Sequence, residues 1–345
     1  MPAPAAFPST VTTQIETALE LYGLRGARTW PLRQGFVRVF RVTHPARGEF
    51  CLRMYDLPAE DTGPSGAPPG RPSLGQLRAQ LRWLSALARE TDLPVPEPVP
   101  AGEDGALTSY VPFGEEPKAP GRHCVLLRWV PGRSKREELS QADLSALGSY
   151  VGGLHNHADR YAPPDPSALP RWDWGWPFEE AAPLWSEGGR HYSAEEMAVF
   201  EAAARRVRGD LRELGYDSDA FGPIHRDLHL GNVVFDGGRA GAIDFDKSGL
   251  GHYLLDLAVL LNVLRIRLPE RFEGARRALL EGYERERPLP AGYRGHLMTF
   301  HAMRHVARVN RELRAMGSQN NRHRARGPHL LRDRLDWLRR HYLKD

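Results

Sequence analysis

The sequence predicts an α+β fold in two lobes: an N-terminal antiparallel sheet with one main helix, then a larger, mainly helical C-terminal lobe. Three observations lead there. Period-two alternation is concentrated in the first third of the chain, as in Phe36 to Val42. One long amphipathic helix pattern interrupts those strands. Beyond Pro131-Gly132 the patterning is helical, broken by a short hairpin. At 345 residues the chain is long enough to bury two substantial cores.

Residues 11–24 read as an opening helix. Phe36 to Val42 and Phe50 to Tyr55 read as strands, joined by a turn from His44 to Gly48. Residues 58–72 are rich in Pro, Gly and Ser and read as a mobile surface loop. The main helix begins after Ser73 with Gln76 three residues on, a capping-box pattern. Leu74, Leu77, Leu81, Leu84 and Ala88 form its apolar stripe, with Gln80 at the edge of that face. Pro94 to Pro100 is a stiff connection, followed by strands at Thr108 to Val111 and Cys124 to Val130. Cys51 and Cys124 lie in apolar runs and read as buried thiols, not as a disulfide or metal site. A further helix runs from about Ala142 to His157. His155 and His157, two apart on it, point in different directions and read as packed side chains. Trp172, Trp174, Trp176, Phe178 and Trp185 read as an aromatic wedge between helices, with a cation-binding box as the alternative.

The chemistry is concentrated in Ile224-His225-Arg226-Asp227-Leu228-His229-Leu230-Gly231-Asn232, with Asp244 twelve residues after Asn232. Phosphoryl transfer from ATP needs a carboxylate to orient a hydroxyl and accept its proton, and oxygen ligands to hold Mg²⁺ against the phosphates. Asp227 suits the first task; Asn232 and Asp244 suit the second. Val233 to Phe235, the turn Asp236-Gly237-Gly238 and Ala240 to Ile243 form a hairpin that returns Asp244 toward the loop. His225-Arg226-Asp227 with Asn232 matches the kinase catalytic-loop spacing.

Residues 222–261 resemble the Brenner-type motif of the aminoglycoside phosphotransferase and choline kinase family, a small-molecule branch of the protein-kinase-like fold. That family includes homoserine, methylthioribose and hydroxylysine kinases and a bacterial stress-response protein kinase. Its second half, an acidic strand end, a glycine and Asp-Leu-Ala, reads here as Asp244, Gly249 and Asp256-Leu257-Ala258. The resemblance implies a nucleotide-binding lobe over 1–127, a hinge at 128–132 and a catalytic and substrate lobe over 133–345. It implies ATP and Mg²⁺ as cofactors, and adenine meeting the main chain of Arg128, Trp129 and Val130. Gly35, in Gln34-Gly35-Phe36, occupies the place of the phosphate-covering loop. The family's third-strand lysine is missing: of 47 basic residues four are lysines and none precedes Lys118. Arg53 and Gln80 stand where the family has Lys and Glu, and arginine can hold phosphate bidentately. His225 would brace the loop. Asp256 would tie it to the next helix as a buried cap, and Asp246 would cap a turn, with approach to a second Mg²⁺ as the alternative.

Eleven residues, 245–255, separate Asp244 from Asp256, too few for a phosphorylated activation loop, so Arg226 reads as structural. The implied activity is transfer of the γ-phosphoryl group to a hydroxyl of a small molecule such as an amino alcohol, a sugar or an amino acid. A bacterial-type Ser/Thr protein kinase of the same family and a nucleotide-binding pseudokinase scaffold are the alternatives. No apolar run approaches eighteen residues and the start at Met1 lacks a signal-peptide pattern, so a cytoplasmic monomer or homodimer is expected. Residues 301–345 hold twelve Lys/Arg against four Asp/Glu. They read as a solvated helical face in preference to a nucleic-acid contact, and their charge disfavours polycationic aminoglycosides.

Overall fold

Alternation of apolar residues sets the sheet that begins the fold. The computed structural model describes residues 9–58, 60, 72–102, 104–112, 121–135, 138–317 and 321–344. Two compact units emerge: Met1–Ser134 with Ala162–Leu169 and Asn232–Asp246, and Lys135–Tyr161 with Pro170–Gly231 and Lys247–Asp345. The hairpin and Asp244 therefore group with the N-terminal segment, far from it in sequence.

In the first unit, β1 (Arg28–Arg33), β2 (Val37–His44), β3 (Gly48–Tyr55), β4 (Pro98–Val99), β5 (Ser109–Pro112) and β6 (Gly121–Arg128) make one sheet. Its order is β1-β2-β3-β6-β4, with β5 also paired to β6 and every pairing antiparallel. Phe50, Leu52 and Met54 of β3 join Ile15, Ala18 and Leu19 of α1 (Ser9–Leu21) in one apolar core. By strand alternation Cys51, Arg53 and Tyr55 point to the opposite face. Cys124 is buried and Cys51 half-buried, and both are free thiols, as expected.

Helix α2 (Leu74–Glu90) carries the predicted capping box, with Ser73 and Gln76 satisfying each other's main-chain amides. Its Trp83 meets Phe245 edge-on at 5.8 Å. The hairpin β9 (Val233–Asp236) and β10 (Arg239–Ala242) is fastened to residues 132–133 by reciprocal main-chain bonds between Arg133 and Phe235, both 3.0 Å. Most of the Pro/Gly-rich segment 58–72 lies outside the described residues.

In the second unit β7 (Arg171–Trp172), β8 (Phe221–Ile224) and β11 (Gly249–His252) form a small mixed sheet, β7-β11-β8. Around it run α3 (Gln141–Arg160), the short α4 (Gly175–Phe178) and α5 (Pro183–Glu187), α6 (Ala194–Leu214), α7 (Tyr253–Arg267), α8 (Phe272–Glu284), α9 (Tyr293–Gly317) and α10 (Asn321–Trp337). Helix α7 is apolar on all sides from Leu254 to Leu261 apart from Asp256 and is buried throughout that stretch, as the central element should be. Helices α3 and α8 meet through glycines: a Cβ on Gly148 would lie 2.0 Å from the Leu279 carbonyl oxygen, and one on Gly282 2.1 Å from that of Ser145. Among the described residues no helix is long and apolar enough to cross a membrane.

Candidate active site

Strand pairing explains how the second unit brings Asp227 to Lys247. Ile224 pairs with Gly249, so the residues following β8 and those preceding β11 emerge at the same end of the ladder. Lys247 Nζ donates to Asp227 Oδ2 at 2.6 Å, and His229 Nε2 lies 4.0 Å from the same oxygen. Burial alone would raise the Asp227 pKa. The Lys247 hydrogen bond and charge, with His229 and Arg226, outweigh it and hold the carboxyl below its ordinary value.

Asp256, fully buried in the first turn of α7, accepts from the amides of His225 at 2.9 Å and Arg226 at 2.6 Å. The tie between loop and helix implied by the resemblance is thus present as two charge-assisted bonds. Arg226 adopts φ +68°, a left-handed conformation that is costly for a residue with a Cβ. His225 is buried, and its Nδ1 accepts from the Asp227 amide at 3.3 Å. Behind Asp256, His155 lies 3.4 Å from its carboxylate and 3.0 Å from the Tyr283 hydroxyl; burial holds the His155 pKa below its usual range. His157 is buried and stacked on Tyr161, so the pair packs as expected.

The side chain of Arg226 lies over Trp172 at 4.2 Å and over Trp176 at 4.5 Å. Burial lowers its pKa to about 10. Trp174 packs on Phe178 and holds Arg208 at 4.4 Å, and the Trp185 indole donates to the Phe178 carbonyl. The tryptophans are a packing wedge, and the cations on it belong to the chain itself.

The first unit gathers the other candidates. Arg53 is 5% exposed, and its Nη2 donates to Asp244 Oδ1 at 2.8 Å and to Asp246 Oδ2. Burial opposes its charge, but Asp246, Tyr55 and Asp244 hold its pKa well above the usual value. Asp246 also accepts from the Tyr55 hydroxyl at 2.9 Å, and its main-chain oxygen accepts from Gln80 Nε2 at 3.1 Å. Its carboxylate is therefore the counter-charge of Arg53, a role beyond the turn cap expected of it. Burial, with the charge of Asp244, pushes the Asp246 pKa up against the pull of Arg53.

Asp244 is the second non-glycine residue in the left-handed region among the described residues, at φ +65°, and Arg33 lies 3.5 Å from its Oδ2. Asn232 is 7% exposed, and its main-chain oxygen accepts from the Ile243 amide at 2.9 Å, fixing it to the strand end that carries Asp244. Gly35 lies in the bend between β1 and β2. At 128–130 the amides of Arg128 and Trp129 donate to the main-chain oxygens of Glu97 and Glu49, at 2.8 and 3.1 Å.

Asn232 and Asp244 offer hard oxygen atoms, the donor type that suits Mg²⁺, and Arg53 supplies a fixed cation beside Asp244. The left-handed conformation of Asp244 stores backbone strain at the end of the hairpin. Two participants were not identified from sequence: Lys247, twenty residues from Asp227, and Tyr55. A lysine directly after the Asp244-Phe245-Asp246 run was the available signal, in a chain with four lysines.

The model of the phosphotransferase enzyme family matches residues 31–289. An amicoumacin kinase of Bacillus subtilis (strain 168) is 29% identical over 205 residues, 56% of this chain and 54% of that protein. A homoserine kinase of Phenylobacterium zucineum (strain HLK1) is 30% identical over 219 residues, 63% of this chain and 61% of its own length. The chain thus spans little more than half the length of these relatives. Among solved structures, an amicoumacin kinase in complex with AMP-PNP, Ca²⁺ and Ami has a TM-score of 0.72 at 19% identity, covering 96% of both chains. A microcompartment-associated aminopropanol kinase has a TM-score of 0.70 at 24% identity, over 95% of this chain and 97% of that one. Both share the α+β kinase-like fold expected from the sequence.

Proposed function

The chain belongs to the phosphotransferase enzyme family, and on that premise we propose that it transfers the γ-phosphoryl group of ATP to a hydroxyl of a small molecule. The observation that carries the reading is Asp227, a carboxylate held ionised by Lys247 on a loop clamped by Asp256. A base that accepts a hydroxyl proton must be ionised, within hydrogen-bond reach and fixed in direction. Asp227 has the first and third properties, and lies five residues before Asn232.

In this reading Asp227 orients the acceptor hydroxyl and takes its proton as the new O–P bond to the γ-phosphorus forms and the bond from that phosphorus to the β–γ bridging oxygen breaks, releasing ADP. Asn232 and Asp244 would hold Mg²⁺, which would supply positive charge to the phosphate oxygens. Arg53 turns from its carboxylates to the phosphates or steadies Asp244 for the metal, and Gln80 holds the loop at Asp246. His225 and Asp256 position the loop. Gly35 and the main chain at Arg128, Trp129 and Val130 bound the nucleotide. The relatives named for amicoumacin, homoserine and aminopropanol kinases support a small-molecule acceptor.

The test is ATP consumption against a panel of alcohols, amino sugars and bulk protein. Asp227→Asn should lower kcat by about 10²–10⁴-fold, and Asp244→Ala should abolish turnover and Mg²⁺-dependent nucleotide binding, both with the thermal midpoint retained. Full activity in either variant would sink the assignment.

A further inference from the structure

Arg311, Arg314, Arg332, Arg339 and Arg340 of the basic C-terminal segment are exposed, as its sequence suggests, but one side of α9 is half-buried. On α9, His301, Arg304, His305 and Arg308 recur at helical spacing and share one side, while Phe300, Met303, Val306 and Val309 are buried on the other. All four polar residues are half-buried. Trp337, at the end of α10, stacks flat on His305 with centroids 4.0 Å apart and 11° between the planes. Its edge meets His301 at 6.4 Å. Arg334 Nη1 approaches His305 Nδ1 at 3.3 Å. A guanidinium can only donate, so this nitrogen accepts, the ring is neutral, and its proton sits on Nε2 as a further donor.

The surroundings are cationic. Burial, then Arg334 and Arg308, push the His305 pKa down to about 2; burial, then Arg265, Arg304 and Arg308, push His301 down to about 4. Burial and neighbouring arginines lower Arg304 and Arg308 to about 10. The carboxylates in electrostatic range are Asp227 and Asp256 for Arg304, and Asp333 and Glu312 for Arg334. Among the described residues neither Arg304 nor Arg308 forms an ion pair.

Partly desolvating several guanidinium groups together is costly unless an anion offsets the charge. Guanidinium is also the side chain best matched to planar carboxylate and to phosphate. Arg304 lies within electrostatic reach of Asp227, and Arg308 follows it one helical turn further along α9. We infer that this face of α9 is the acceptor subsite and that it takes an anionic group, a carboxylate or a phosphate, carried by the molecule whose hydroxyl meets Asp227. Arg304 and Arg308 hold the anion, and Trp337 and the two histidines wall the subsite. This rests on the phosphotransferase reading and names its substrate class: hydroxy acids or phosphorylated alcohols, not polycations.

The experiment compares phosphoryl acceptors of one skeleton and different charge. Glycerate and glycerol phosphate form the two anionic arms; glyceramide, glycerol and ethanolamine are the neutral and cationic controls. At least one anionic arm should exceed its controls in kcat/KM by about tenfold or more, and the better arm identifies the anion. Arg308→Gln should raise KM for that acceptor by about tenfold while KM for a neutral control moves little. Equal or better use of the neutral or cationic acceptors by the wild type overturns the inference, and so does an equal change for both acceptors in the variant. Oligonucleotide binding lost in Arg308→Gln, with no effect on any acceptor, would also overturn it. If no acceptor consumes ATP, thermal melts of the full chain in phosphate and acetate decide. Stabilisation that disappears in Arg308→Gln supports the subsite, and stabilisation that is absent or unchanged in the variant rejects it. Magnesium-dependent binding of an ATP analogue, measured separately, reports on the phosphotransferase reading alone.

Discussion

At Asp227 two opposing effects act on one carboxyl. Burial favours the neutral acid, and the Lys247 ammonium at 2.6 Å favours the anion; the anion prevails. The protonated base cannot accept the hydroxyl proton, so the rate should fall as pH drops through a value below the ordinary carboxylate range. Lys247→Met leaves burial unopposed by its largest counterweight and should move the acid limb of kcat/KM to higher pH. Lys247→Arg should hold it in place. An unmoved limb in the methionine variant would remove Lys247 from the chemistry. Asp227 was legible from the spacing of one loop, whereas Lys247 was not, because its relation to Asp227 is created by the Ile224–Gly249 register. Arg53 was legible as a residue of the third strand. Its binding to Asp244 and Asp246 was not, since those carboxylates come from a hairpin the strand cannot foretell.

The elements repeat this contrast between local and remote causes. Helix α2 announces itself through Ser73 and Gln76, and β2 and β3 through alternation, because these signals lie within a few residues of what they specify. Strand β1 was missed: Pro31 interrupts it, and its residues are half-buried or exposed, as at a sheet edge. The contact between α3 and α8 was invisible, since nothing in either helix states that Gly148 and Gly282 will face a neighbour's main chain. It makes a paired test. Gly282→Ala places a Cβ 2.1 Å from a carbonyl oxygen and should destabilise by at least about 1–3 kcal/mol. Gly209→Ala, at an exposed position of helix α6 with nothing within 4 Å, should stabilise by about 0.4–1 kcal/mol. Denaturant midpoints read both; equal shifts would contradict the close approach.

Across the whole molecule, the candidate groups are shared between two units that the chain enters more than once. The boundaries fall between Gly231 and Asn232 and between Asp246 and Lys247, inside the candidate catalytic motif. No contiguous stretch contains all of the first unit. A fragment ending at Ser134 would keep Arg53 and lose Asp244, Asp246 and the hairpin that bonds to Arg133. It should fail to give a cooperative melt, and a dispersed amide spectrum from that fragment would contradict this. Arg53 is separated from Asp244 by 191 residues and from Asp246 by 193. During synthesis at about 5–20 residues per second, the arginine therefore waits on the order of ten to forty seconds for its counter-charges to leave the ribosome. The sheet face that carries it is born with its lock already cut and its key still untranslated, a span in which a chaperone or an outside anion is the partner within reach.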